Sequence, residues 1–322
     1  MELIRGLHNL RPEHRGCVLS IGNYDGVHRG HQALLDCLRA QAGRLGLPAT
    51  VLVFEPTPRE YFSQAEVPPR VLTLRDKLAA LAEHGVRRVV IARFDGRLAG
   101  LSGEEFVRRV IVAGLGARAV VVGDDFRFGA RRSGDFALLR TLGGECGYVA
   151  EQLGTLAVQG DRCSSTALRG LLAEARLDEA AQLLGRRYSI RGPVRHGLKL
   201  GRQLDMPTAN IALRRLPPLP LGVYAVRARI DGAARDWFGV ASLGVRPTLG
   251  LSRCLLETHL FGEPGDIYGR LLQVEFQRYL RPELRFDSLD ALKQQMHRDA
   301  DEARADVARQ PGHESPSVPL SQ

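Results

Sequence analysis

Gly22-Asn23-Tyr24-Asp25-Gly26-Val27-His28-Arg29-Gly30-His31-Gln32 follows the short apolar run Cys17-Val18-Leu19-Ser20-Ile21 and precedes Leu34, Leu35, Leu38, Ala42 and Leu45 at helical spacing. The run reads as a buried strand and the repeat as a helix. Two histidines spaced His-x-Gly-His therefore sit on a strand–turn–helix junction. Glycines let the backbone approach a ligand, and a helix N-terminus offers N–H groups to an anion. Two imidazoles there can donate to a phosphate whose charge grows in a transition state. That is nucleotide-handling chemistry, most naturally nucleotidyl transfer. The spacing fits neither G-x-G-x-x-G nor the P-loop pattern.

The rest of the N-terminal half extends this reading. Apolar runs at Cys17–Ile21, Thr50–Phe54, Arg88–Ala92 and Ala119–Val122 alternate with helical patterns near 33–45, 74–84 and 103–114. Such alternation argues for an α/β parallel sheet covered on both faces, with ligands beyond the C-terminal strand ends. Residues 164–185 read as two short helices. After Gly185 the pattern changes. Gly222–Ile230 alternates between apolar and arginine positions, and Trp237–Leu243, Arg253–Leu260 and Leu271–Tyr279 are also strand-like. Strands without helices between them imply an antiparallel sheet or barrel. A last helix over 288–308 carries the stripe Leu289, Leu292, Met296, Ala300, Ala303 and Val307, with Asp287 and Asp290 placed to cap it. Three segments follow: 1–185, 186–309, and a Pro- and Ser-rich tail at 310–322 expected to be disordered.

Bulk properties narrow the classes. The length, 322 residues, favours two domains. The five cysteines are scattered, odd in number and lack a C-x-x-C pair, which points away from zinc ribbons and disulfide frameworks and suits a reducing cytoplasm. No apolar run is long enough to cross a bilayer, and the N-terminus lacks a signal-peptide core. The net charge of +9 comes mostly from arginine, yet no nucleic-acid module signature accompanies it. Polyphosphate substrates account for part of it, and no nucleic-acid partner is expected.

Further motifs carry chemistry. Ser164, Ser165 and Thr166 open a predicted helix with Arg169 one turn on, a phosphate cradle. Val122-Gly123-Asp124-Asp125-Phe126-Arg127-Phe128-Gly129 follows a strand and can seat a flat ring and its polar edge. Phe54-Glu55-Pro56-Thr57-Pro58-Arg59-Glu60 forms a rigid turn at the same sheet edge. In the second half, the loop with Gly192, Gly197, Lys199, Gly201 and Arg202 can wrap polyphosphate. Thr208 and Asn210 offer neutral oxygens to Mg²⁺. Alternation puts Leu255, Glu257 and His259 on one strand face, where Glu257 can serve as a general base. Glu283, in more basic surroundings, reads as paired, positioning Arg281.

In order and spacing these segments resemble the prokaryotic bifunctional riboflavin kinase/FAD synthetase family over residues 10–308. The resemblance implies a nucleotidylyltransferase-type N-terminal domain and a six-stranded barrel with a trailing helix. It implies phosphorylation of riboflavin by ATP to FMN in the C-terminal half, and adenylylation of FMN to FAD in the N-terminal half. It makes His28, His31, Arg169 and Glu257 catalytic. ATP would be bound by Gly22, Asn23, Asp25, Gly30, Ser164, Ser165, Thr166, Gly197, Lys199, Gly201 and Arg202. The flavin would meet Asp125, Phe126, Phe128, Arg281 and Glu283, and Mg²⁺ would bind Thr208 and Asn210. Partners would be small molecules, without a membrane, on a monomer or weak homo-oligomer.

Three places depart from the family pattern, one of them Ala167-Leu168 in place of a polar–Ile pair, where little effect is expected. Thr57 stands where histidine is common in a Pro-His-Pro turn, and Asp205-Met206 stands where Gly-Phe or Gly-Tyr is usual. A negative Asp205 would weaken ATP binding or sit turned away. A nucleotidylyltransferase with another acceptor, and a basic flavin- or RNA-binding protein, are the competing classes; flavin-dependent ATP turnover separates them.

Overall fold

Apolar runs buried on both faces build the first sheet. The computed structural model describes residues 1–63, 67–158, 160–197, 205–248 and 251–308. Contacts divide the chain into units Met1–Leu168 and Arg169–Gln322.

In the first unit the strands are β1 (Glu2–Arg5), β2 (Cys17–Ile21), β3 (Ala49–Glu55), β4 (Arg88–Arg93), β5 (Ala117–Gly123) and β6 (Val149–Leu153). They pair in the order β1-β4-β3-β2-β5-β6, all parallel. β2 is buried at every residue. The sequence reading finds the four inner strands and misses β1 and β6. Both are edge strands; only Ile4 is buried in β1 and nothing is buried in β6, so neither writes an apolar run. The chain leaves β2 toward β3 on one side and reaches β5 on the other. The switch point therefore lies at the C-terminal ends of β2 and β5, where open α/β sheets bind ligands.

Helices α1 (Arg29–Leu45), α2 (Pro58–Phe62), α3 (Leu74–Glu83), α4 (Gly96–Ala99), α5 (Gly103–Phe106) and α6 (Phe136–Cys146) connect these strands. Leu34, Leu35, Leu38 and Ala42 are the buried stripe of α1, whereas Leu45 is exposed near its end. The helix expected near 103–114 starts as α5 and continues from Val107 to Gly114 in wider π geometry. A short pair, β7 (Ala157–Val158) and β8 (Asp161–Arg162), precedes α7 (Ser165–Ala173) and α8 (Leu177–Leu184). α8 ends on Gly185 at φ 73°, the left-handed cap that glycine adopts without penalty.

The second unit holds β9 (Ser189–Pro193), β10 (Ala209–Leu213), β11 (Gly222–Ile230), β12 (Asp236–Thr248), β13 (Leu251–Leu260) and β14 (Leu271–Arg281), followed by α9 (Leu289–Ala308). The strands pair antiparallel in the order β10-β13-β12-β11-β14-β9. A bridge from Arg195 to Asn210 brings the two edges together, so the barrel is nearly closed. Tyr224, Leu243, Leu256, Leu272, Val274 and Phe276 fill it. On the outer face Val223, Ala225 and Val240 pack with Met206 and with Ala300 and Ala303 of α9. That cover explains why β11 is buried at successive residues where simple alternation would expose every second one. The expected stripe of α9 is right at Ala300 and Ala303 and fails at Leu289, which is 63% exposed beyond the end of the barrel contact. Its first-turn cap is Ser288, whose hydroxyl accepts from Ala291 N, in place of the expected aspartates. The side chain of Val307 and the tail at 310–322 lie outside the described residues. Among the described residues no helix is long and apolar enough to cross a membrane.

Candidate active sites

The turn after β2 is shaped by backbone that few residues adopt. Tyr24 and Val27 have φ of 49° and 44°, both are buried, and Gly26 between them has φ 93°. A buried β-branched residue in the left-handed region is strained, and such strain collects at functional sites. The turn is held by its surroundings. Tyr24 donates to Ser20 Oγ at 2.6 Å, Ser20 donates to the Val121 carbonyl at 2.7 Å, and Gln32 donates to the Val27 carbonyl at 2.9 Å. Asp25 Oδ1 accepts from Val71 N and Leu72 N at 3.0 and 3.3 Å, tying the segment before α3 to the turn.

His28 is the N-cap of α1, and its Nδ1 accepts from His31 N at 3.4 Å. The two imidazoles stack with centroids 3.7 Å apart. Among the described residues His31 Nδ1 is buried without a hydrogen-bond partner. Burial is the main cause that holds His31 well below the usual histidine range, with His28 and Lys77 adding to it. Burial thus favours the neutral ring at His31, stacked on the N-cap histidine of α1. Cys163 closes the turn from the other side, its Sγ accepting from Gly30 N at 3.4 Å and lying 3.5 Å from His28 Nδ1. Ser164 Oγ accepts from Ala167 N at 3.2 Å, and Ser165 donates to the Asp25 carbonyl at 2.8 Å. The start of α7 is therefore stitched to the histidine turn. Thr166 is exposed there, and Arg169 follows Ser165 by one turn on α7.

Beside this turn lies a charge network. Arg70 donates to Glu55 at 2.7 and 2.9 Å and to Glu60 at 2.7 Å. Lys77 on α3 is 1% exposed, and burial lowers its pKa against the pull of Asp25, Glu55 and Glu60. Glu55 and Glu60 belong to the Phe54–Glu60 turn, and Lys77 shows in the sequence as a lysine inside the stripe of α3. Thr57 caps α2 through a reciprocal box with Glu60, which supplies a structural role for the residue that departs from the family pattern.

The loop after β5 divides the tasks of its residues. Asp124 accepts from Thr155 N at 2.9 Å and from its hydroxyl, while Asp125 pairs with Arg162 at 2.8 Å. Phe126 is half-buried and stacks on Phe128 at 5.4 Å. Phe128 itself is 7% exposed and belongs to the core beside Phe106, so it backs Phe126 instead of offering an open face.

In the second unit Glu257 of β13 faces Asn210 of β10 and Ser242 of β12 across the sheet. Leu255, Glu257 and His259 are half-buried while Cys254, Leu256, Thr258 and Leu260 point into the core, so the expected shared face is present. Asn210 Oδ1 is buried without a partner among the described residues, and its Nδ2 donates to the Thr208 carbonyl at 3.2 Å. A Cβ on Gly197 would lie 2.6 Å from Asn210 Nδ2, so only glycine leaves the amide its place. His259 Nδ1 donates to the Pro207 carbonyl at 2.9 Å, steadying the segment that carries Thr208. Lys199, Gly201 and Arg202 lie outside the described residues.

One expectation needs correction here. Arg281 is positioned by Asp299 of α9, through bonds of 2.8 and 2.6 Å to a carboxylate that is 5% exposed, and not by Glu283. Glu283 instead lies over Gly244, where a Cβ would clash with its carboxylate. Asp205, at φ 59°, pairs with Lys293 of α9 at 2.6 Å, which holds its carboxyl below the usual range and gives its charge a partner.

Comparison with known proteins follows this division. Residues 10–167 match the family model described as FAD synthetase, and residues 184–307 match that described as riboflavin kinase. A bifunctional riboflavin kinase/FMN adenylyltransferase of Pseudomonas fluorescens is 50% identical over 306 residues, covering 95% of this chain and 97% of that protein. The protein of the same description from Escherichia coli K12 is 46% identical, covering 94% and 97%. Among solved structures, that of a macrolide-efflux protein from Streptococcus pneumoniae superposes with a TM-score of 0.80 at 26% identity, covering 94% of this chain and 99% of that one.

Proposed function

The chain belongs to the bifunctional riboflavin kinase/FMN adenylyltransferase family, and from that premise we propose which residues carry each of its two reactions. It phosphorylates riboflavin with ATP to FMN, then adenylylates FMN with a second ATP to FAD and pyrophosphate. We divide the chain after Gly185, with 1–185 for adenylylation and 186–309 for phosphorylation. The observation that carries the division is the presence of two separate constellations, stacked His28 and His31 in one unit and facing Asn210 and Glu257 in the other.

In adenylylation an FMN phosphate oxygen attacks the α-phosphorus of ATP and pyrophosphate leaves. No side-chain nucleophile is needed. His28 and His31 donate to the phosphates as charge accumulates, and the α1 N-terminus with Gly22, Asn23 and Gly30 approaches them through backbone. Asp25 holds the turn. Ser164, Ser165, Thr166 and Arg169 take the remaining phosphate charge. Phe126, backed by Phe128, and Asp125 receive the flavin.

In phosphorylation Glu257 accepts the proton of the terminal ribityl hydroxyl as its oxygen attacks the γ-phosphorus and ADP leaves. Thr208 and Asn210 fit Mg²⁺, because the buried Asn210 Oδ1, without a partner among the described residues, is a neutral oxygen of the kind this hard cation accepts beside its waters and phosphates. Bound there, Mg²⁺ would neutralise phosphate charge. We assign ATP binding to Gly197, Lys199, Gly201 and Arg202, and Arg281 and Glu283 meet the flavin. The five cysteines, all free thiols, support a cytoplasmic setting. We expect a monomer or weak homo-oligomer. The test is a crossed pair: His28→Ala should abolish FAD formation and spare FMN formation, and Glu257→Ala should do the reverse when FMN is supplied. Loss of both activities in either folded variant refutes the division.

A further inference from the structure

We infer that the Cys163 thiol is a positioning group for adenylyl transfer. It donates to His28 Nδ1 and so fixes that imidazole as the neutral tautomer that offers Nε2–H to the phosphates. The inference rests on the reading of His28 given above.

The argument starts from the ring. His28 Nδ1 receives the backbone N–H of His31 at 3.4 Å. A ring nitrogen that accepts a hydrogen bond carries the lone pair, so in the neutral ring the proton sits on Nε2. Cys163 Sγ lies 3.5 Å from the same Nδ1. Facing a lone pair, the sulfur can interact favourably only by donating its hydrogen, so the thiol is protonated and points at the ring. The sulfur in turn accepts from Gly30 N at 3.4 Å. A continuous donor chain results, from Gly30 N–H to the thiol, to Nδ1, and out through Nε2–H. Each member polarises the next in one direction, which strengthens the terminal donor where phosphate charge grows.

The surroundings favour this state. Cys163 and His28 are 6% and 5% exposed, so water competes little for a weak S–H donor. The stacked His31 is held neutral, and the buried Lys77 beside it opposes further positive charge. A protonated His28 would face both and would have no lone pair for the His31 N–H. The tautomer is thus set from three sides, and Cys163 is the side-chain member of that set.

The test uses the full chain with Cys163 changed to Ala, Val and Ser, each preparation assayed for FMN-to-FAD and riboflavin-to-FMN conversion. Cys163→Ala and Cys163→Val should lower kcat for adenylylation about five- to tenfold with KM for ATP little changed, the pattern of a contact strengthened in the transition state. Cys163→Ser should stay within about twofold of the parent, because a hydroxyl donates in the same place. Riboflavin phosphorylation should be equal in all four. Side-chain ¹⁵N spectra should show His28 as the Nε2–H tautomer in the parent and the Ser variant, with the Nδ1–H form appearing in the Ala variant. Parental kcat and tautomer in Cys163→Ala overturn the inference. So does a Ser variant as slow as Val, which would assign the effect to packing. If Val fails to fold, Ala and Ser decide alone. Unaltered adenylylation in His28→Ala would instead overturn the site reading itself.

Discussion

Replacing Gly197 by alanine tests the phosphorylation site through a single methyl group. The new Cβ would lie 2.6 Å from Asn210 Nδ2, 2.8 Å from Cγ and 2.9 Å from Oδ1. Non-bonded heavy atoms rest at about 3.5–4.0 Å, so the amide has to retreat by about 1 Å. The strand cannot take up the shift, because Arg195 N donates to the Asn210 carbonyl at 2.8 Å and β10 pairs with β13 on its other side. The side chain moves, carrying Oδ1 away from the position where it would meet Mg²⁺. Gly197 has no left-handed φ, so alanine adds no backbone strain. Overpacking of this size costs about 1–3 kcal/mol of stability. A displacement of about 1 Å at a positioning group costs on the order of 10²-fold in rate. The expected result is a variant that melts a few degrees lower, phosphorylates riboflavin about 10²-fold more slowly with a raised Mg²⁺ requirement, and makes FAD from FMN at the parental rate. The assay follows FMN and FAD by chromatography across a Mg²⁺ titration, beside a thermal melt. Phosphorylation within about threefold of the parent at unchanged Mg²⁺ dependence would refute the placement of the cation at Asn210. An equal fall in both activities would refute the independence of the sites.

Two further outcomes follow from buried charge. Asp299→Ala removes the acceptor of Arg281 Nε and Nη2 and of Gln295 Nε2, which bonds at 2.8 Å, and leaves a mostly buried guanidinium unpaired; it should cost about 3–5 kcal/mol in denaturant unfolding, largely recovered by also changing Arg281 to Met, and a loss below about 1 kcal/mol would show that the pair is no brace. His31 binds a proton less readily folded than unfolded, so its contribution is present above the unfolded value of 6.5 and is lost as pH falls toward the depressed folded value. Stability of the first unit should therefore decline from pH 7 to pH 5, and His31→Gln should flatten that slope by up to about one proton, an unchanged slope being the contrary result.

The fold was legible wherever burial writes itself into local pattern. β2 to β5 of the first sheet announce themselves because both faces are covered, and the switch to alternation after Gly185 announces the barrel. β1 and β6 were not legible, since an edge strand with at most one buried residue has no pattern to show. The end of α9 misled for the related reason that periodicity marks a face without saying how far the partner surface extends; Leu289 has the right phase and no barrel beneath it.

The sites divide along the same line. Residues proposed to meet phosphate through backbone or through one turn of helix must sit within a few positions of each other, so His28, His31, Ser164 and Ser165 form readable words. Groups that hold those words in place have no such constraint. Cys163 reaches His28 across 135 positions, because α7 begins where the parallel sheet brings the end of β2 to the surface. Asp299 reaches Arg281 because α9 lies back along β11 and β12. Glu283 stands two residues from Arg281 and carries the right charge, so sequence proximity selected it; only the register of β14 and the cover of α9 show that the carboxylate doing that work comes from elsewhere. The consequence for this chain is specific. Substitutions within the motifs should act on chemistry, whereas substitutions at Cys163, Lys77 and Asp299 should act on the placement of motifs that remain intact, a difference that kcat, tautomer and unfolding measurements distinguish and activity alone does not.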